Sequence, residues 1–308
     1  MLSWEDESSE GGLPIAVLER RVVQETMTPE TRAPSPWSRT PLALRAVVSG
    51  LLVALLAANV WPVLLFKLGA AVATIVELAF LAIYVWWASG HGIPRSSRVT
   101  RDAAFRARGL SRLQWVWGLV AALSFAITIH AAMVLLFRLT PYPQETFRRG
   151  YDLSAIPTLR LKWVAIIISA ISAGVCEETG FRGYMQQPIE QRHGVRIAVL
   201  VSSIAFTLLH LNKGWATPGM VPIVFGAGVF LGLMAWSSGS LIPGMVGHVL
   251  MDIGLFAFWW TGVAGDFTLE PISKSGVDVG FMVTAATFVA SLTLVLLAIS
   301  RLRRVAAR

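Results

Sequence analysis

Beyond residue 40 the chain alternates between long apolar runs and short polar interruptions. The runs fall at 46–66, 68–88, 114–137, 163–187, 195–211, 221–237, 241–263 and 279–299. A helix rises about 1.5 Å per residue and must cover about 30 Å of hydrocarbon, so runs of this length predict membrane-spanning helices. The pattern predicts an all-α, polytopic membrane protein with about eight transmembrane helices. No internal repeat is visible along it. Residues 1–40 break the pattern. Glu5, Asp6, Glu7 and Glu10 are followed by Pro29, Pro34 and Pro36, with Pro41 at the boundary. That composition predicts a disordered cytoplasmic tail. No apolar stretch follows a basic start, so the segment does not read as a signal peptide. The expected organisation is this tail over 1–40, N-terminal transmembrane helices over 41–160, a polar-bearing transmembrane core over 161–300 and a basic cytoplasmic tail over 301–308.

Composition agrees with the pattern. Apolar residues make up 55% of the chain and charged residues 14%, where a soluble domain carries about a quarter charged. The single cysteine, Cys176, excludes an internal disulfide framework and a cysteine-based zinc site. Beside an intramembrane glutamate it reads as a small packing residue. The net charge of +8 raises a nucleic-acid reading, which the scatter of basic residues between apolar runs argues against. Topology accounts for them better. With the N-terminus inside, 18 of the 26 Lys and Arg fall on the cytoplasmic side. Basic connections stay in the cytoplasm, so both termini are expected there and the chain is expected in the plasma membrane. The segment 138–162 is basic yet falls on the other side, which suits an amphipathic stretch lying on the surface.

Ionisable groups are expensive in hydrocarbon, and each calls for an account. Glu77, His130, Glu177, Glu178, Arg182, His210, His248 and Asp252 all fall within the predicted spans. Glu178 and Arg182 stand four apart with the acid first, the order that suits a helical ion pair. Glu177 is displaced by about 100° around the same helix and is left as an unpaired carboxylate, a suitable general base. His210 follows Phe206 by one turn on the next span. His248 and Asp252, four apart, share a face, so the aspartate could orient the imidazole or add a second polar group. Glu77 and His130 have no partner at helical spacing, and Glu77 is expected to pair with a basic group on another helix. No nucleophile elbow and no His-Glu-x-x-His is present. Gly226, Gly228 and Gly232 read as close helix packing.

Three of these groupings resemble a known family. Glu177-Glu178-Thr179-Gly180-Phe181-Arg182 looks like the EExxxR motif of the CPBP family, which joins type II CaaX prenyl endopeptidases with bacteriocin-processing and bacteriocin-immunity membrane proteins. Phe206 to His210 resembles its FxxxH motif, and His248 to Asp252 its HxxxN or HxxxD motif, in the family's order. The resemblance covers roughly residues 160–260. It implies an intramembrane endopeptidase that cuts a peptide bond of a membrane-associated or lipidated substrate near the cytoplasmic face. By the same resemblance Glu177 and His210 hold and activate the attacking water, and His248 with Asp252 stabilises the oxyanion. An ionised Asp252 cannot donate to an oxyanion, so it is either protonated or orients His248. Glu178, Arg182 and Phe206 then act as structural supports. Glu177, His210, His248 and Asp252 could also ligate zinc, so the cofactor is either none or zinc. The expected partners are membrane lipid and a peptide or membrane-protein substrate, with no nucleic acid. The alternatives are a non-catalytic scaffold or immunity protein on the same fold, and a transporter, for which intramembrane His and Glu are equally natural.

Overall fold

The computed structural model describes residues 36–58, 60–148, 153–211, 217–265 and 269–307. The expected tail over 1–40 therefore lies almost wholly outside the described residues. Among those described the secondary structure is helical throughout, with no strand. The main helices are α1 (Leu42–Ala58), α2 (Val60–Leu68), α3 (Ala70–Ala88), α4 (Arg98–Phe105), α5 (Arg112–Leu139), α6 (Leu159–Glu178), α7 (Val195–Leu209), α8 (Met220–Ser238), α9 (Ile242–Gly254) and α10 (Val279–Ala306). Two of them run on through wider π-helical turns. α6 continues over Thr179–Gln186 and then Gln187–His193, and α9 continues over Leu255–Trp260.

Among the described residues six helical stretches are long and apolar enough to cross a membrane: Ala71–Ala88, Arg112–Leu139, Leu159–His193, Met220–Ser238, Ile242–Trp260 and Val279–Ala306. The protein is an integral membrane protein. The expected span at 46–66 is helical on both sides of residue 59, which lies outside the described residues. The run at 195–211 forms a helix of only 15 residues, about 22 Å long.

Helix starts are fixed by side chains. Ser111 Oγ accepts from the Gln114 amide while Gln114 Oε1 accepts from the Ser111 amide, a reciprocal cap on α5. Thr158 caps α6 and Asp278 caps α10 one-way, their side-chain oxygens accepting from the Leu161 and Phe281 amides. Small residues bring the helices together. A Cβ on Gly180 would sit 2.6 Å from the Gly50 carbonyl oxygen, so α1 packs directly against the π-helical turn of α6. Gly228 and Gly232 pack the same way against Ser203 and Gln186, as expected of them, whereas Gly226 faces open space.

The connections gather at two ends of the bundle. One end holds α4, the bend at Gly194 and the turn between α8 and α9. It is tied together by Ser240 Oγ to the Arg108 carbonyl at 3.0 Å, the Leu241 amide to the Arg106 carbonyl at 3.3 Å, and Arg106 to Glu190 at 3.7 Å. The other end holds the connections that follow α5, α7 and α9. There Arg138 Nη2 lies 2.7 Å from Asp278 Oδ2, and the Tyr142 hydroxyl donates to the Trp259 carbonyl at 2.5 Å. Phe137, Tyr142, Phe147 and Trp259 stack into an aromatic cluster at this second end.

Candidate active site

The polar residues singled out in the sequence are brought to the middle of the bundle by α6, α7 and α9. Glu178 and Arg182 form the expected pair, with Arg182 Nη1 2.9 Å from Glu178 Oε1 and both side chains fully buried. Arg182 Nη2 donates to the Gly228 carbonyl at 3.1 Å and the guanidinium lies over the Phe206 ring at 4.8 Å, whereas Arg182 Nε and Glu178 Oε2 have no hydrogen-bond partner among the described residues. The next residue of the same stripe, Gln186, donates to the Gly232 carbonyl at 3.0 Å and accepts from Ser202 at 3.3 Å. This buried Gln186–Ser202 bond was missed in the sequence, although Glu178, Arg182, Gln186 and Glu190 recur every four residues.

His248 stands at the centre. Its Nδ1 is 2.9 Å from Glu178 Oε1, and its Nε2 faces Asp252 Oδ2 at 3.6 Å and Glu177 Oε2 at 4.0 Å. The two adjacent glutamates thus flank one imidazole from different sides, one at each ring nitrogen, instead of pointing to unrelated surroundings. The group that orients the ring is Glu178, since only the Nδ1 contact is within hydrogen-bond range. An acceptor at Nδ1 fixes a proton there and leaves Nε2 towards the open space.

His210 is held in the same manner. It caps the C-terminus of α7, its Nδ1 lies 2.8 Å from the Phe206 carbonyl, and its ring stacks on Phe206 at 4.4 Å between centroids. The Phe206 ring meets His248 edge-on at 5.9 Å. Phe206 therefore separates the two histidines and the guanidinium while touching all three.

Glu177, His210, His248 and Asp252 all line one cavity of about 230 Å³. Its remaining wall is apolar and includes Ile129 and Met133 of α5, Ile223 and Val224 of α8, and Trp260. A volume of this size holds several waters, each of about 30 Å³, or an apolar side chain with a water beside it. The Glu177 carboxylate lines this cavity and its side chain is 16% exposed, while its Oε2 is buried without a hydrogen bond among the described residues, 4.0 Å from His248 Nε2. Among the described residues no three His, Cys, Asp or Glu side chains are grouped so as to hold a metal ion. The four donors considered for zinc line the cavity without converging on one point, so the arrangement does not fit a zinc centre.

The other two intramembrane candidates lie apart from these four. Glu77 is fully buried, and its partner is the Ser172 hydroxyl at 2.7 Å rather than a basic group. His130 is bracketed by α9. Its Nε2 is 3.2 Å from the Met251 carbonyl, and its Nδ1 accepts from Trp259 Nε1 at 3.3 Å. Cys176 is buried and packs with Leu81, Tyr84 and Phe105, as a small core residue.

Residues 158–254 match the model of the type II CAAX prenyl endopeptidase Rce1-like family. The matched segment contains all three motifs and, with them, Glu177, Glu178, Arg182, Phe206, His210, His248 and Asp252, and it agrees with the resemblance carried by those motifs. No curated protein and no solved structure matches the chain. The family match and the apolar helices together support a membrane protease acting on a peptide substrate.

Proposed function

We propose that the chain is an intramembrane endopeptidase in which Glu177 activates a water for attack on a peptide bond. The observation that carries this reading is the partly exposed carboxylate of Glu177 on a cavity that two histidines also line. A water there is held between Glu177 and Nε2 of His210. Glu177 takes one proton from it, and the resulting hydroxide adds to the scissile carbonyl. The oxyanion that forms needs a donor placed in advance. His248, protonated on both ring nitrogens, donates through Nδ1 to Glu178 and through Nε2 into the cavity. Asp252 and Glu177 supply its countercharge from 3.6 and 4.0 Å. Asp252 is then ionised and makes no bond to the oxyanion. The proton on Glu177 passes to the leaving amine as the C–N bond breaks, which restores the carboxylate. Arg182 neutralises Glu178 so that Glu178 can hold His248 without stranding a charge.

Removing a general base costs about 10²–10⁴-fold in rate, and residues acting on one water are non-additive. Glu177→Gln and His210→Ala are each expected to remove most peptide hydrolysis, and the double variant to be little worse than either single. Independent, multiplying losses would show that the two side chains do not share a water.

A further inference from the structure

The cavity is not centred along the bundle. His210 ends α7, Met220 begins α8 and Trp260 ends the π-helical turn of α9, and all three line it. Each of these positions adjoins a connection at the end of the bundle where Arg138 meets Asp278. Met133 on α5 lies only six residues before that end of its helix.

Towards the other end the core is closed. Glu178, Phe181, Arg182, Met185 and Gln186 are all fully buried and form a continuous layer beneath the site. Outside that layer α4 lies across α6. Arg106 Nη2 donates to the Arg182 carbonyl at 3.3 Å, and a Cβ on Gly183 would come within 2.3 Å of the Ala104 carbonyl oxygen. A peptide entering from the α4 end would have to displace both the strap and the buried layer.

Charge says which end is which. Apart from Arg182, buried with Glu178 in the core, the segments joined at the α4 end and both terminal segments carry 17 of the 26 Lys and Arg. At the other end Arg138 is neutralised by Asp278. The two sequence expectations, cytoplasmic termini and cleavage near the cytoplasmic face, thus place the site at opposite ends, and the lining residues lie at the end away from the termini. Resting on the proteolytic reading above and on the basic-residue distribution, we infer that the cavity is entered from the Asp278 end and takes the scissile segment of a membrane-anchored chain from the extracytoplasmic half of the bilayer. A lipidated tail presented in the cytoplasmic leaflet would approach the closed layer instead.

Cysteine accessibility tests this without turnover. In a Cys176→Ala background, Ile223→Cys and Val224→Cys place thiols in the cavity wall. Ser273→Cys marks the Asp278 end, and Ala307→Cys marks the α4 end. A membrane-impermeant maleimide is applied to sealed right-side-out and inverted membranes holding the full chain. The expected result is labelling of the cavity and Ser273 positions in right-side-out membranes, with loss of that labelling in inverted ones, and the reverse for Ala307. Cavity thiols that label together with Ala307 would overturn the assignment of the open end. Cavity and Ser273 thiols that both label in inverted membranes only would overturn the extracytoplasmic assignment. Labelling by a permeant maleimide alone would show a cavity closed to water on both faces and would also overturn it. Two cavity positions guard against one variant failing to fold. The same pattern is expected in a Glu177→Gln background, so the sidedness fails or stands independently of the proteolytic reading.

Discussion

Glu178 Oε1 lies 2.9 Å from Nη1 of Arg182 and 2.9 Å from Nδ1 of His248, so a single oxygen joins the ion pair within α6 to the imidazole of α9. Arg182 acts on the site through that oxygen. It neutralises the carboxylate that orients His248, and its own position is set by the Gly228 carbonyl and the Phe206 ring.

Arg182→Ala should leave the buried Glu178 with His248 as its one remaining charged partner. Breaking a buried pair from one side costs about 3–5 kcal/mol, so low abundance in membranes is expected. A double Glu178→Gln, Arg182→Gln variant removes both charges and should recover abundance, measured by immunoblot against wild type. It should not recover hydrolysis, because His248 loses the carboxylate at Nδ1. Recovery of activity along with abundance would mean that Glu178 does not act through His248.

His130 holds the backbone next to Asp252 through the Met251 carbonyl, with Trp259 fixing its other nitrogen. Glutamine offers an amide N–H for the carbonyl and an amide oxygen for Trp259, whereas phenylalanine offers neither. His130→Phe should therefore lower kcat, and His130→Gln should restore most of it. Loss of each hydrogen bond costs about 1 kcal/mol, so reduced thermal stability is expected in the Phe variant as well. Equal activity of the two variants would remove His130 from the positioning of Asp252.

At the Asp278 end the Arg138 guanidinium and the Phe281 amide hold the Asp278 carboxyl below its ordinary value of 3.8. The contribution of a group with a lowered folded pKa is fully present above its unfolded value and is lost as pH falls through the folded one. Asp278→Asn should lower the thermal midpoint in detergent at neutral pH, with the gap to wild type narrowing as pH drops below about 4. A gap that persists unchanged in acid would show that the loss does not come from the carboxylate's charge, since asparagine keeps the helix cap.

Much of this site was legible where partners lie on one helix. The four-residue spacing gave the Glu178–Arg182 pair and set His248 and Asp252 on one face, and each is as expected. Contacts between helices were not legible. Nothing in the spacing of Glu178 and His248, 70 residues apart, marks them as bonded, so Asp252 was the one residue considered for orienting the imidazole. Glu77 was expected to need a cation, yet a hydroxyl on α6 meets it, because helix packing decides which polar group arrives first. The π-helical turns after Glu178 and Gly254 leave no hydropathy signal, since they change hydrogen-bond spacing without changing composition. The early end of α7 was hidden likewise, because Leu211 extends the apolar run past the residue where the helix stops.

The account stands on hydrolysis that depends on one carboxylate. The most direct measurement compares protein N-termini in membranes holding wild type with those holding Glu177→Gln, at matched abundance of the two forms. Glutamine keeps the size of the side chain and cannot take the proton, so a set of new N-termini should be present with wild type and absent with the variant. Identical sets of N-termini in the two membranes, with both forms folded and equally abundant, would contradict the account and leave the fold to a non-catalytic role.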